Sequence, residues 1–307
     1  MDDLLRRAAA LGFGGQVVVE RDGELILARA YGQADRRAGR PFAIDTPVGI
    51  ASISKHLTAL AVLRLVDRGR VRLSDPIERH LDSVPPDKLG ITIEQLLTHT
   101  SGLPGGDAAG DFELDSRAEL LERILALDRA AASGERWIYS NSGYSLLAAI
   151  VEEAAGIPYE QFVDEQLFAA AGMRHSGFWH RPPPDGLPAA HPYIGWRDQG
   201  SPADWPRNWR VFGAGDVLST AADLYRLDRA LRRGELVSRR LWRAARSVQA
   251  EIDETTGYGY GLFVYTDAAG RTVLEHGGDW QRGYNGLFMR YVDEEIVIVV
   301  TSNARDH

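Results

Sequence analysis

The chain contains no cysteine, which excludes disulfide bonds, thiolate catalysis and cysteine-ligated metals. It also lacks a long apolar run at its start, and its net charge of −8 is not gathered into blocks of like charge. Because no basic stripe is present, we expect neither nucleic acid nor an anionic membrane as a partner, but a small molecule. Without a recognisable leader in this sequence, we expect a cytoplasmic protein, or a periplasmic or secreted one if a leader precedes residue 1.

Lysine is the second scarcity: Lys55 and Lys88 are the only lysines among 35 basic residues. Such a bias towards arginine makes each lysine informative. Lys88 lies in the polar stretch "PPDKLG", where a solvated surface residue is expected. Lys55 lies instead in the apolar stretch "GIASISKHLTAL", and this position needs another explanation.

The two ends of the chain carry strand patterns. "QVVVE" and "LILARAY" flank Asp22-Gly23, a dipeptide typical of a two-residue hairpin turn. Near the other end, "YGLFVYT", "RTVLEH", "NGLFMRY" and "EIVIVVTS" predict three or four further strands in a meander. We expect the strands of both ends to meet in one antiparallel sheet.

The middle of the chain is helical in character. Apolar residues nearly all round predict a buried helix from 52 to about 69, ending at Gly69. A helix is also expected after Thr220, which stands three residues before Asp223 as in a capping box. Other helices are predicted at about 93–99, 117–129, 142–155 and 159–171, and a long ordered loop at 181–209.

These patterns together predict an α+β fold, with helices flanking an antiparallel sheet and a mainly helical lobe inserted between the N-terminal and C-terminal strands. We place residues 1–80 and 210–307 in the sheet domain. Residues 81–209 form the helical and loop lobe. The two parts are expected to make up one catalytic unit.

Ser52 and Lys55 form the first candidate for chemistry. At i and i+3 they share one helix face, and the first turn of a helix offers free N–H groups to a developing oxyanion. Burial lowers the pKa of a lysine amine, so that it can act as a base, whereas arginine stays protonated. The alternative is a capping serine followed by a lysine that reaches solvent.

Two more patterns lie far along the chain. Tyr139 and Asn141 stand at the start of a predicted helix, where the alternative is that Asn141 or Ser142 simply caps the helix. His276 is followed by Gly277 and Gly278, and glycines there let a substrate approach the backbone. Taken alone, His276 is more typical of a hydrogen-bonded structural histidine. By chance alone, all three patterns together would be expected about 0.01 times per chain of this composition.

In this order, Ser-x-x-Lys, Tyr-x-Asn and His-x-Gly resemble the serine hydrolases of the β-lactamase and penicillin-binding protein superfamily. The similarity is to the branch of class C β-lactamases, family VIII esterases, D-stereospecific aminopeptidases and DD-carboxypeptidases. It also covers "GFGGQVVVERDGELILARAYG", "ITIEQLLTHTSGLP", "AGDVLSTAADLYRL" and "HGGDWQRGYNGLFMRYVDEEIVIVVTSN". The fold of that superfamily is a helix-flanked antiparallel sheet with a mainly helical lobe.

The resemblance implies an acyl-enzyme formed on Ser52, with Lys55 and Tyr139 sharing the work of a general base. Asn141 would orient Lys55 or the substrate. The N–H groups of Ser52 and Asp279 would form the oxyanion hole. His276 would assist proton transfer or recognition, Gly277 and Gly278 would border the substrate, and no metal or organic cofactor would be needed.

Two departures from the family pattern shape the expected activity. A histidine at position 276 is not a permanent cation, so it should hold a substrate carboxylate less firmly than lysine does. We therefore expect an esterase-like hydrolase, with β-lactamase, D-amino-acid peptidase or amidase, and acyltransferase as alternatives that use the same residues. A non-catalytic binding or sensor protein is a further alternative.

The second departure is at the C-terminus. The chain ends soon after "TSN", where the family usually adds a helix, so either that helix is missing or the N-terminal helix covers the sheet. Trp196, Trp205, Trp209 and Trp280 are candidates for an apolar substrate pocket, although tryptophan also fills cores.

Overall fold

The computed structural model describes residues 1–105, 115–183 and 185–305. Its α-helices are α1 (Asp2–Ala10), α2 (Ser54–Asp67), α3 (Ile93–Leu97), α4 (Arg117–Ala126), α5 (Asn141–Ala155), α6 (Tyr159–Val163), α7 (Ala169–Ala171), α8 (Ala221–Arg233) and α9 (Arg239–Ala245). Its strands are β1 (Gly15–Arg21), β2 (Glu24–Tyr31), β3 (Gln33–Asp35), β4 (Arg40–Pro41), β5 (Val48–Gly49), β6 (Gly177–Phe178), β7 (Tyr193–Ile194), β8 (Arg197–Asp198), β9 (Val217–Ser219), β10 (Ala250–Glu251), β11 (Thr256–Tyr258), β12 (Phe263–Thr266), β13 (Thr272–Asp279), β14 (Asn285–Tyr291), β15 (Ile296–Ser302) and β16 (Ala304–Arg305).

Eight strands form the main antiparallel sheet, in the order β10-β11-β12-β13-β14-β15-β1-β2. The strands of the two chain ends meet at β1 and β15, where Gly15 pairs with Ser302 and Arg21 with Ile296. Asp22 and Gly23 both have positive φ, at 54° and 82°, as the predicted hairpin turn requires. The predicted α+β fold and the joining of the two ends are therefore confirmed.

The sheet is covered on both faces. On one face, Val18, Val299 and Phe288 belong to the main core together with the buried side of α2. On the other face, Leu5 and Ala9 of α1 pack against a smaller apolar cluster. The N-terminal helix therefore covers part of this face of the sheet, which is one of the two alternatives that the sequence left open.

Helix α2 is buried nearly all round, as its sequence predicts: every residue from 54 to 63 is buried. It packs with α5, another helix whose middle is enclosed, and α5 ends at Gly156 with φ of 73°. A one-turn 3-10 helix, Ala51–Ile53, precedes α2 directly. Ser52 therefore lies in the turn that enters this buried helix.

Other sequence predictions need small corrections. The helix expected at 159–171 is divided by a π-helical turn at Asp164–Phe168. Thr220 caps α8 by accepting a hydrogen bond from the N–H of Asp223. The carboxylate of Asp223 does not complete a capping box, because it accepts hydrogen bonds from the N–H of His175 and the hydroxyl of Ser176.

Lys88 is the clearest error among the sequence expectations. It is only 2% exposed rather than solvated. Its ammonium donates a hydrogen bond to the carboxylate of Asp87 at 2.7 Å, so the charge is balanced within the loop. The ion pair explains why a lysine is tolerated in a buried position there.

The predicted loop at 181–209 contains the short hairpin of β7 and β8 and two 3-10 turns, at Pro202–Asp204 and Trp209–Val211. Pro184 lies outside the described residues. Within the described part of the chain, no helix is both long and apolar enough to cross a lipid bilayer.

Candidate active site

Ser52 is held on a strained turn. The residue before it, Ala51, has φ of 47°, a region that non-glycine residues rarely occupy. The turn is pressed against the sheet: a Cβ added at Gly278 would lie 2.2 Å from the carbonyl oxygen of Ile50. Because the surrounding contacts leave so little space, they can hold a strained backbone that presents Ser52 to a cleft.

Lys55 is completely buried, with 0% exposure. Its Nζ donates a hydrogen bond to the carbonyl of Ala214 at 2.8 Å and lies 3.0 Å from Ser52 Oγ. The same nitrogen lies 4.8 Å from the ring centre of Tyr139 and 5.8 Å from that of Tyr144. The alternative of a lysine that reaches solvent is therefore wrong.

Tyr139 approaches the serine from another side. Burial raises the pKa of Tyr139 to about 12, although a hydrogen bond with Ser52 acts in the opposite direction. The phenol is therefore protonated at neutral pH. Ser52 Oγ thus has two potential proton partners, the Lys55 amine and the Tyr139 hydroxyl.

His276 lies beneath these residues rather than in the cleft. It is 1% exposed, and its ring centre is 6.3 Å from that of Tyr139. Its Nδ1 lies 2.7 Å from the carbonyl oxygen of Gly277, and its Nε2 lies 3.1 Å from the hydroxyl of Tyr258. Burial, with a further contribution from the charge of Lys55, lowers the pKa of His276 to about 3. The ring is therefore neutral, and both nitrogens have partners inside the protein.

Sequence reasoning did not assign a role to His99, which contacts the same group. Its ring centre lies 4.4 Å from that of Tyr139, and its Nδ1 accepts a hydrogen bond of 3.0 Å from the N–H of Ser140. Burial first, and then electrostatic interactions with Lys55 and His276, place the pKa of His99 well below its usual range. The signal was the stretch "LLTHTSGLP", which the family resemblance covered without naming this histidine.

The end of β13 offers a backbone donor. The N–H of Trp280 bonds to the carbonyl of Tyr284 at 2.9 Å, and Asp279 pairs with Asn285 one step earlier. Because ladder bonds alternate along an antiparallel strand, the N–H of Asp279 points away from β14. On that side β12 has already ended, its last pair being Phe263 with Glu275. This N–H is available to a substrate oxygen.

A small cleft of about 50 Å³ brings these parts together. Among the predicted residues, Ser52, Asn141, Asp279 and Trp280 line it. Asn141 is the first residue of α5 and is exposed, while Ser140 supplies the cap by accepting from the N–H of Gly143. A side chain at Gly277 would meet nothing within 4 Å, so this position faces open space.

The four tryptophans that were candidates for an apolar pocket lie in different surroundings. Trp280 lines the cleft and stacks on Trp179 at 5.1 Å, and Trp205 meets its edge at 4.9 Å. Trp209 is instead a core residue at 2% exposure, and Trp196 is a surface residue at 79%. The expectation of a pocket wall is wrong for these last two.

The cleft also contains residues that sequence reasoning missed. Arg210 lines it and forms an ion pair with the buried Asp115 at 2.7 Å. The carbonyl of Ala214, which accepts a hydrogen bond from Lys55, lies in the glycine-rich stretch "GAGD". A backbone acceptor cannot be recognised from the type of residue that carries it.

Among the described residues, one set has metal-ligand spacing, Asp35, His191 and Asp198, and it does not line the cleft.

The fold and the paired serine and lysine define the class of protein. The chain matches the family model described as Beta-lactamase over residues 2–307, and it belongs to this family. Its relatives are serine hydrolases, and the chain is a serine hydrolase of the β-lactamase type.

Particular relatives make the placement more definite. The chain is 30% identical to Penicillin-binding protein 4* of Bacillus subtilis (strain 168), an alignment that covers 96% of this chain and 69% of that protein. It is 34% identical to Esterase EstB of Burkholderia gladioli, covering 95% and 86%. The octameric penicillin-binding protein homologue from Pyrococcus abyssi superposes with a TM-score of 0.85 at 26% identity, covering 99% and 72%.

Proposed function

We propose that the protein hydrolyses carboxylic esters through an acyl-enzyme on Ser52. The observation that carries this proposal is the buried Lys55 amine, 3.0 Å from Ser52 Oγ. A buried amine beside a hydroxyl is suited to accept its proton. The likeness to a relative named as an esterase supports an ester as the substrate.

The proposed reaction begins with attack of Ser52 Oγ on the ester carbonyl carbon. The proton of Oγ passes to the pair formed by Lys55 and Tyr139, and the N–H groups of Ser52 and Asp279 stabilise the oxyanion. The bond to the alcohol oxygen then breaks, and the same pair returns the proton to the leaving alkoxide. Water completes the cycle by hydrolysing the acyl-serine.

The remaining residues are proposed to act by position. Asn141 lines the cleft and would orient the acyl group, and Trp280 would contact its apolar part. His276 touches Tyr139 rather than the cleft, so we propose that it supports Tyr139 from below. A neutral His276 provides no fixed cation for a substrate carboxylate, and the guanidinium of Arg210 in the cleft is already paired with Asp115; we take both as support for uncharged esters over β-lactams.

A substrate panel tests the proposal. We expect p-nitrophenyl butyrate to be hydrolysed faster than a D-amino-acid anilide or nitrocefin, and Ser52→Ala to abolish all three activities. Ser74→Ala, a change at an exposed serine, should leave turnover unchanged. Ester hydrolysis that survives in Ser52→Ala would overturn the proposal, and faster turnover of the amide or of nitrocefin would favour the peptidase or β-lactamase alternative.

Transfer to an acceptor other than water needs its own measurement. If added alcohols raise the rate of p-nitrophenol release and appear in the product as new esters, acyl transfer is the better description. A protein that binds these compounds without releasing product would be a binding or sensor protein.

We also propose a cytoplasmic location, which fractionation of the source cells would test.

A further inference from the structure

A second cleft of about 450 Å³ lies where α7 ends against α8. It shares no lining residue with the cleft at Ser52. Four arginines line it, Arg174, Arg226, Arg229 and Arg233, and we call it the arginine cleft. Its volume lies within the range of small-molecule sites, roughly 300 to 1,000 Å³.

The arginines come from two walls. Arg226, Arg229 and Arg233 stand at i, i+3 and i+7 on α8, a spacing that places them on one helix face. Arg174 faces them from the turn after α7. Arg232 belongs to another face of α8, where it forms ion pairs with Glu20 and Asp228.

The charge on the lining is strongly positive: Glu235 is the one carboxylate among the lining residues, against four guanidinium groups. Arg226 has Asp223 as its partner, and Arg233 lies 3.8 Å from Glu235. Among the residues that the structure describes, Arg174 and Arg229 form no ion pair. This concentration of positive charge occurs in a chain whose net charge is −8.

Shape adds to charge. Ala171, Gly172 and Ala230 leave space between the two arginine walls. A Cβ added at Gly172 would meet nothing within 4 Å, so the space beside this residue is open to a ligand. Arg174 and Arg229 are both exposed and can therefore turn towards a ligand from opposite sides.

We propose that the arginine cleft binds a small phosphorylated ligand that carries at least two negative charges. Planar guanidinium groups form paired hydrogen bonds with phosphate oxygens, and several of them can share one pyrophosphate. The simpler alternative is that these arginines only offset the negative C-terminal end of α8. That role requires Arg233 in the last turn, but it does not explain Arg174 or Arg226.

Calorimetric titration with inorganic pyrophosphate tests this inference. We expect saturable binding at low salt, weaker at higher sodium chloride, and a loss of affinity of about tenfold or more in Arg174→Gln/Arg229→Gln. A matched control, Arg37→Gln/Arg72→Gln, removes the same charge from exposed positions outside the cleft and should bind as the wild type does.

Ester hydrolysis should be unchanged in both double variants, which shows that they are folded and that the two clefts are independent. A circular dichroism spectrum confirms folding if the hydrolase proposal itself fails. The inference is wrong if wild type shows no saturable binding, or if the cleft variant and the control bind pyrophosphate equally.

Discussion

The two lysines of this chain are both buried, yet their surroundings differ. Lys88 donates to the carboxylate of Asp87 at 2.7 Å, so that each charge stabilises the other. Lys55 contacts the carbonyl of Ala214 and the hydroxyl of Ser52 and lies beneath aromatic rings. The partner of Lys88 is an oppositely charged carboxylate, whereas the carbonyl and the hydroxyl that Lys55 contacts are uncharged groups, and the hydroxyl is that of Ser52. Burial alone therefore does not distinguish the lysine that we propose as catalytic from the other one, but the contact with Ser52 does.

Replacing each lysine by arginine, one at a time, should distinguish these two roles most strongly. We expect Lys55→Arg to lower kcat/KM for an aryl ester by about 10³-fold, because arginine does not deprotonate. Lys88→Arg keeps the positive charge beside Asp87, so the turnover of the folded enzyme should not change, although the larger side chain costs about 1 to 3 kcal/mol of stability. Equal activity losses in the two variants would remove the distinction.

Tyr139 tests whether Lys55 acts alone. Tyr139→Phe removes the hydroxyl but keeps the ring, and we expect kcat to fall by about 10²-fold because one proton partner of Ser52 is lost. Tyr265→Phe is a suitable control, since this phenol bonds to Glu275 at 2.7 Å and does not line the cleft. A Tyr139→Phe enzyme with full activity would leave Lys55 as the sole base.

His99 should matter through position. His99→Phe keeps a ring beside Tyr139 but removes the acceptor for the N–H of Ser140. We expect kcat to fall by about tenfold with KM unchanged, together with a stability loss of about 1 to 3 kcal/mol for the unpaired N–H. His99→Asn, which restores an acceptor, should recover part of the activity if the hydrogen bond is what matters. Unaltered kinetics in His99→Phe would show that the contact is structural only.

Asp216 extends the comparison to a buried acid. Burial raises the pKa of Asp216 well above its usual range, and the side chain is 0% exposed. Because the folded-state pKa exceeds the unfolded one, its contribution to stability is complete at low pH and is lost as pH rises through the folded-state pKa. Asp216→Asn should therefore unfold like wild type at pH 4 and be more stable by about 1 kcal/mol or more at pH 8. A difference that does not change with pH would contradict this.

The smallest effect is expected from titration of His276. Its pKa of about 3 means that the ring stays neutral across the pH range in which activity is measured. The pH profile of kcat/KM should therefore show no step near pH 6.5, and His276→Gln should leave the position of the acid limb unchanged. An acid limb near pH 6.5 that disappears in His276→Gln would show that the ring titrates during catalysis.

Local pattern was sufficient to predict much of this fold and part of the site. Alternating strands with Asp22-Gly23 between them predicted the sheet, and the all-round apolar helix α2 placed Lys55 in a buried position. Three-dimensional contacts were not predictable in the same way. The burial of Lys88, the separation of Trp209 from the cleft, and the backbone acceptor at Ala214 all depend on how distant segments meet. The division into residues 1–80 with 210–307 and 81–209 stays a prediction.

Labelling with a fluorophosphonate, followed by peptide mapping, tests the central claim most directly. We expect one adduct per chain, located on Ser52, formed much faster than in the unfolded protein and at least about 10²-fold more slowly in Lys55→Arg. An adduct on another residue, or a labelling rate no faster than that of the unfolded chain, would contradict the assignment of Ser52 as a nucleophile activated by Lys55.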